Sequence, residues 1–222
     1  MIRKPLTNLL LATASATALI VTSAAAAQAD EPTPEPSVTA PPTAEEPVNP
    51  VIAEYDGRKI NLAESWEGAD SCTELPNGEV HCYDSDEEAL ADPALPAESR
   101  KETLKAASAR SASAPPRGCV ADYWCLYMDT GYEGRLLRLS SDGKKDLNEW
   151  GCRDNLGSVF YWVGRWALNY GNAKITDYRS WPVDDRVRAL NAPADYRNFG
   201  NLAYPGGGNW NNKVDIFEVR RN

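Results

Sequence analysis

The chain has 222 residues, with 32 acidic and 23 basic side chains, one histidine and a formal net charge of −9. No basic patch rises above that balance, which excludes a nucleic-acid reader, and a lone His81 gives little basis for Ser-His-Asp or Cys-His catalysis. The acidity is uneven: residues 30–117 hold 19 Asp and Glu against 7 Lys and Arg, whereas residues 118–222 hold 13 against 14.

Six of the seven Trp, eight of the ten Tyr and all three Phe follow residue 117. Aromatic side chains bury the most area per residue, so the main core is expected there, in a stretch long enough for one independent core.

In chain order, Arg3 and Lys4 precede an apolar run from Leu9 to Val21 that ends at Ala27-Gln28-Ala29. This reads as a signal peptide over residues 1–29, with an exported mature chain starting near Asp30. The run is shorter and more diluted than the ~18–20 residues of a membrane span, and no Cys follows it for a lipid anchor. A secreted protein with no membrane attachment after cleavage is expected. Residues 30–50, rich in Pro and Glu, read as a disordered acidic linker.

Residues 51–92 read as a small α/β module. Val51–Tyr55 and Arg58–Leu62 flank Asp56-Gly57, a tight-hairpin dipeptide, and Leu62–Ala69 is expected as a short helix capped by Asn61. A second hairpin turns at Pro76-Asn77-Gly78. Counting back from that turn pairs Leu75 with Glu79 and Cys72 with Cys82, which predicts a cross-strand disulfide. A metal site of Cys72, His81 and Cys82 is disfavoured, because export favours oxidation and adjacent His81 and Cys82 point to opposite strand faces. Ser85-Asp86-Glu87-Glu88 reads as a capping box opening a helix. Residues 93–117 are expected as a helix, Pro96 to Arg110, running into a Ser/Ala/Pro linker. That linker is the expected domain boundary, and the acidic half before it reads equally as a propeptide, a spacer or an accessory module.

Residues 118–222 carry short aromatic and β-branched runs separated by Gly, Asn and Asp, the pattern of an antiparallel sandwich or barrel. Asp154-Asn155, Asp184-Asp185 and Asn211-Asn212 each precede such a run. This reads as a repeat in which two polar residues introduce the last strand of each unit; Asx side chains also suit such corners for purely local reasons.

Tyr127-Met-Asp-Thr-Gly-Tyr132-Glu-Gly134, followed by Ser158, resembles the β/γ-crystallin Greek-key motif. The resemblance implies a mainly β fold, a double Greek-key sandwich in which Tyr127 and Tyr132 pack over a folded hairpin. Gly134 would supply a conformation closed to other residues, and Ser158 would bond back to the hairpin. Tyr170-Gly171 and Tyr196-Arg-Asn-Phe199-Gly200 match a second unit only in part. The fuller pattern runs from Cys119, Trp124 and Cys125 through Asp146-Leu147, Trp150-Gly151-Cys152 and Asn155 to Ser158-Val159. It is similar to the secreted actinobacterial peptidase inhibitors with a β/γ-crystallin-like fold, of the Streptomyces metalloproteinase inhibitor type.

That likeness implies non-covalent blocking of an extracellular protease by a monomeric inhibitor, with thermolysin-like metalloproteases the first partner to consider. It also implies a Cys119–Cys125 disulfide with Cys152 free and buried beside Trp150; Cys125–Cys152 with Cys119 free is the other pairing. The type member has a second disulfide near its inhibitory loop, whereas here no Cys follows Cys152, so no reactive-site residue transfers. β/γ-crystallin sites bind Ca2+ through Asn/Asp-Asn/Asp-x-x-Ser/Thr-Ser, which nominates Asp154, Ser158, Asn211 and Asp215 as ligands. No cofactor is required, and the other reading has these Asx residues capping corners while Ser158 holds the hairpin.

No HExxH, phosphate loop or cofactor fingerprint is present, so an enzyme is not expected. A carboxylate pair such as Asp184 and Asp195 carries little weight on its own. The alternative function is a calcium-stabilised structural or cell-wall glycan-binding module using Trp162, Trp166, Trp181 and Trp210. The tip Gly206-Gly207-Gly208-Asn209-Trp210 is its expected exposed aromatic.

Overall fold

A computed structural model describes residues 49–109, 115–163 and 171–220. The expected signal peptide, most of the Pro/Glu-rich linker, Trp166 and Tyr170 lie outside these residues. The described residues belong to one compact unit.

Local turn chemistry builds the first part. Strands β1 (Ile52–Tyr55) and β2 (Arg58–Asn61) form a hairpin whose turn residues Asp56 and Gly57 have φ of 51° and 69°, as a type I′ turn requires. Strands β3 (Ser71–Glu74) and β4 (Val80–Tyr83) pair with Cys72 opposite Cys82. At their turn Leu75 N–H donates to Glu79 O at 2.7 Å, and Gly78 sits at φ 87°. The Cys72–Cys82 disulfide spans Cα atoms 4.0 Å apart.

Helix α1 (Asp86–Ala91) is capped by Ser85, whose Oγ accepts from Glu88 N–H at 3.1 Å. Glu88 answers by accepting from Asp84 N–H rather than from Ser85, so the box closes one residue early. Helix α2 (Ala97–Ser108) follows.

The helix expected over Leu62–Ala69 does not form. Glu67 and Gly68 take positive φ, 51° and 104°, which ends any helix after a single turn. The reason is tertiary: Trp66 turns inward, 2% exposed, and its Nε1 donates to Trp150 O at 2.7 Å.

The remaining strands are β5 (Trp124–Tyr127), β6 (Leu136–Leu139), β7 (Gly143–Asp146) and β8 (Ser158–Tyr161), then β9 (Asn172–Asp177), β10 (Arg186–Leu190), β11 (Ala194–Tyr196) and β12 (Ile216–Arg220). One sheet has the order β11-β8-β5-β6 before it continues; the other is β10-β9-β12-β7. Each run of four strands therefore places its fourth beside its first, the signature of a Greek key. Each also sends its third strand, β7 or β11, into the other key's sheet. Two Greek keys interlocked by exchanged strands form the sandwich.

This order corrects the threefold repeat. Asp154-Asn155 and Asn211-Asn212 precede β8 and β12, the fourth strand of each key, whereas Asp184-Asp185 precede β10, a second strand. Only the outer two pairs are equivalent. Their backbones exchange bonds across the sandwich, Asp154 N–H to Val214 O and Asn212 N–H to Leu156 O, both 3.1 Å.

The first sheet does not stop at β6. It continues β3-β4-β1-β2, with β3 parallel to β6 through Ser71–Leu136, Cys72–Leu137 and Thr73–Arg138. The expected separate α/β module is thus half of an eight-stranded sheet, and the segment 93–117 separates no second core. Ala53, Ile60, Leu62, Trp66, Cys72 and Val80 share one apolar cluster with Trp124, Leu126, Trp150, Trp210 and Phe217. A second, smaller cluster on the sheet's other face joins Leu95 to Cys119, Tyr123, Tyr127 and Tyr132.

Polar groups knit the same seam. Arg138, fully buried, donates to Gly118 O (2.6 Å), Ser71 Oγ (3.0 Å), Thr73 Oγ1 (3.2 Å) and Asp86 (2.9 Å). Glu74, 6% exposed, accepts from Ser140 N–H, Ser141 N–H and the Lys145 ammonium.

Candidate functional site

The first key's corner lies between β5 and β6. Tyr127 and Tyr132 pack with ring centroids 5.4 Å apart, and both are buried. Gly134 has φ 74°, where a side chain is strained, and Tyr132 itself has φ 69°. Ser158 Oγ accepts from Tyr132 N–H at 3.1 Å and donates to Asp129 O at 2.7 Å, so the loop folds back over the sheet. Tyr132 OH donates to Asp195; burial, then this bond, raise its pKa.

All four residues are scaffold. Ser158→Ala removes both bonds from a buried site, with an expected cost of about 1–3 kcal/mol. Urea unfolding would test this, and an unchanged midpoint would show that the hairpin needs no tie.

The second key departs from this pattern at the topologically equivalent loop. Tyr127 lies opposite Ser158, while its counterpart Thr176 lies opposite Ile216. A buried isoleucine thus stands where the first key has its tying serine. The loop between β9 and β10, Tyr178–Asp185, also contains no glycine. It has neither device. Ser180 O accepts from Val183 N–H at 3.1 Å to close a turn, and Trp181 at its crest is 92% exposed.

The base of this turn is tied. Tyr178 N–H donates to the Asp215 carboxylate, and Arg179 N–H donates to Asp185 Oδ1 at 2.9 Å. The Arg179 guanidinium donates to Tyr204 OH at 2.9 Å, and Tyr204 OH donates to Asp177. Four of the six large hydrophobics exposed among the described residues, Tyr178, Trp181, Val183 and Val187, belong to this one hairpin. Their concentration on one hairpin makes it the candidate binding element.

The Trp expected to be exposed is the wrong one. Trp210 is fully buried, edge-on to Tyr204 with centroids 5.1 Å apart. Gly206, Gly207 and Gly208, all at positive φ, reverse the chain so that Trp210 N–H reaches Leu202 O at 3.0 Å. A glycan platform of four Trp is not assembled by the described residues.

Two of the four nominated calcium donors, Ser158 and Asp215, are engaged with protein groups. Ser158 Oγ is engaged in the hairpin. The Asp215 carboxylate, whose pKa burial raises, is paired with the Arg153 guanidinium and Tyr178 N–H. A resident cation therefore already sits on it. Asp154 is exposed, and only Asn211 Oδ1 is buried without a partner. No group of three or more His, Cys, Asp or Glu able to hold a metal occurs among the described residues. Millimolar Ca2+ is expected to leave the Tm unmoved, since only a ligand that binds the folded state raises it. A clear upward shift in a thermal melt would overturn this.

The other candidates are dispersed. Cys119 and Cys125 form a disulfide with Cα atoms 5.6 Å apart. Cys152 is free and buried, and burial pushes its thiol up to about 12. Cys72 and Cys82 are tied to each other, and His81 Nδ1 lies 2.7 Å from Asp92. Asp195 lies on β11 in the large sheet, whereas Asp184 is on the β9–β10 loop of the other sheet. Tyr196 and Phe199, read as a partial second corner, end and follow the exchanged third strand β11 and pack edge-on instead. Among the described residues no helix is long and apolar enough to cross a membrane.

Two solved structures resemble the chain. One is a mutant betagamma-crystallin domain from Clostridium beijerinckii, with 14% identity over 44% of this chain and 97% of that one, at a TM-score of 0.30. The other is Hahellin, a beta-gamma crystallin, with 12% identity over 45% and 92%, at a TM-score of 0.28. Scores this low carry no argument, and the fold rests on the strand order itself. No curated protein matches. Residues 112–182 match peptidase inhibitor family I36, a stretch that takes in the first key and reaches the crest of the β9–β10 turn. This segment, about a third of the chain, is thus similar to a peptidase inhibitor family, in keeping with the likeness its motifs carry.

Proposed function

We propose that the protein is a secreted inhibitor that blocks an extracellular endopeptidase by non-covalent docking of the β9–β10 turn. The observation that carries this is the turn itself: a 92% exposed Trp181 raised on a loop whose base is held by Asp215, Asp185 and Tyr204. A loop already ordered before binding loses little entropy on docking, which favours tight complexes. Two disulfides and the N-terminal targeting pattern suit an oxidising, extracellular setting.

Thermolysin-like metalloproteases are the first partners to try, followed by serine endopeptidases. The test is titration of the full chain against thermolysin, subtilisin, chymotrypsin and trypsin at near-stoichiometric ratios. Inhibition of at least one is expected, with active protease and intact inhibitor recovered on dissociation. Failure to inhibit any of the four would remove the reading.

A further inference from the structure

The β9–β10 loop offers a protease three side chains long enough to fill a specificity pocket, Tyr178, Arg179 and Trp181; of these Tyr178, held at the loop's base by its N–H on the Asp215 carboxylate, is only 44% exposed. Their surroundings separate them. The Arg179 guanidinium is spent inside the loop on Tyr204 OH, itself bonded to Asp177, and this chain of bonds holds the turn's base. Trp181 is 92% exposed. Tyr178, Val183 and Val187 of the same hairpin are also exposed, at 44%, 43% and 51%. No other exposed large hydrophobic among the described residues lies on this sheet: Ile52 is on β1 and Leu104 on α2.

Resting on the reading above, we infer that Trp181 is the specificity-determining residue. It plugs an apolar pocket that accepts a bulky aromatic side chain, so the partner is an endopeptidase of aromatic or large-apolar preference, not one selecting Arg or Lys. A large rigid aromatic buried in a partner's pocket is the commonest kind of binding hot spot.

The same geometry predicts that the inhibitor survives the encounter uncleaved. The Ser180–Val183 bond closes the backbone into a turn around Trp181 and Pro182. Hydrolysis needs the scissile carbonyl held in a near-attack arrangement, which a closed turn does not offer. Pro182 also removes the N–H that would follow the plugging residue.

The test compares the full chain with Trp181→Ala and Trp181→Phe against chymotrypsin, subtilisin, thermolysin and trypsin. Trp181→Ala should weaken inhibition of the proteases with apolar pockets by roughly 30-fold or more, whereas Trp181→Phe should stay within about tenfold. Thermal melts of both variants should match the wild type, because the side chain touches solvent and not the core. If the wild type inhibits and Trp181→Ala inhibits equally well, this inference falls while the inhibitor reading stands. Inhibition confined to trypsin would also overturn it. A wild type silent against all four proteases removes both.

Discussion

Residues 118–222 expressed alone are expected not to fold. The aromatic half looks self-sufficient by composition, but its β6 edge is covered by β3, and Trp66 and Leu62 fill its core from the other half. Removing one buried Trp costs about 3–5 kcal/mol, against a total stability of about 5–15 kcal/mol for a domain. Deleting Trp66 together with Ala53, Ile60, Leu62, Cys72 and Val80 exceeds that margin. The truncation would also leave the buried Arg138 guanidinium without Asp86, Ser71 and Thr73.

The comparison is between residues 45–222 and 118–222, by near-UV circular dichroism and urea unfolding. A cooperative transition in 118–222 near that of the longer chain would show that the shared core is dispensable. If the expected loss is seen, the acidic half is required for the aromatic half to fold.

The second large effect lies on the same seam. Asp86→Ala leaves Arg138 charged and fully buried with only neutral acceptors. Burial lowers the guanidinium's pKa, yet an Arg does not give up its proton in a protein, so the charge stays. Loss of one partner from such a buried pair costs about 3–5 kcal/mol. The double variant Asp86→Ala/Arg138→Met, which removes the charge as well, is expected to recover much of that loss, because an apolar replacement avoids the desolvation cost. Urea midpoints of the two variants give the ordering. Asp86→Ala within about 1 kcal/mol of wild type would mean that Arg117, 3.5 Å from Asp86, and the neutral acceptors do not depend on the carboxylate.

How far the sequence could be read depended on whether each feature was local. The turn at Pro76-Asn77-Gly78 sets its own register, and the opposition of Cys72 and Cys82 follows from counting residues. Tyr127, Tyr132, Gly134 and Ser158 were legible because a corner of few residues demands one backbone shape. The helix expected at Leu62–Ala69 fails because local propensity there yields to the burial of Trp66. Trp181 is legible in the sequence only as one of four candidate glycan-contacting Trp, not as the exposed one, though a signal exists: the loop joining the first and second strands of the second key has no glycine, and Ile216, not a serine, stands opposite the end of β9. That signal can be used only once β9, β10 and β12 are placed, since the partial matches at Tyr170 and Tyr196 drew attention to other segments.

By itself, then, the sequence determined the two hairpins of the first part, the first key's corner and the family likeness. All of these rest on bonds between near neighbours or on a short motif. The tertiary structure alone decided that β3 runs beside β6, that the keys exchange β7 and β11, and that Trp210 is buried while Trp181 is exposed. Those outcomes depend on strands distant in the chain meeting across shared apolar area, and non-directional burial leaves no fixed spacing in the sequence to read.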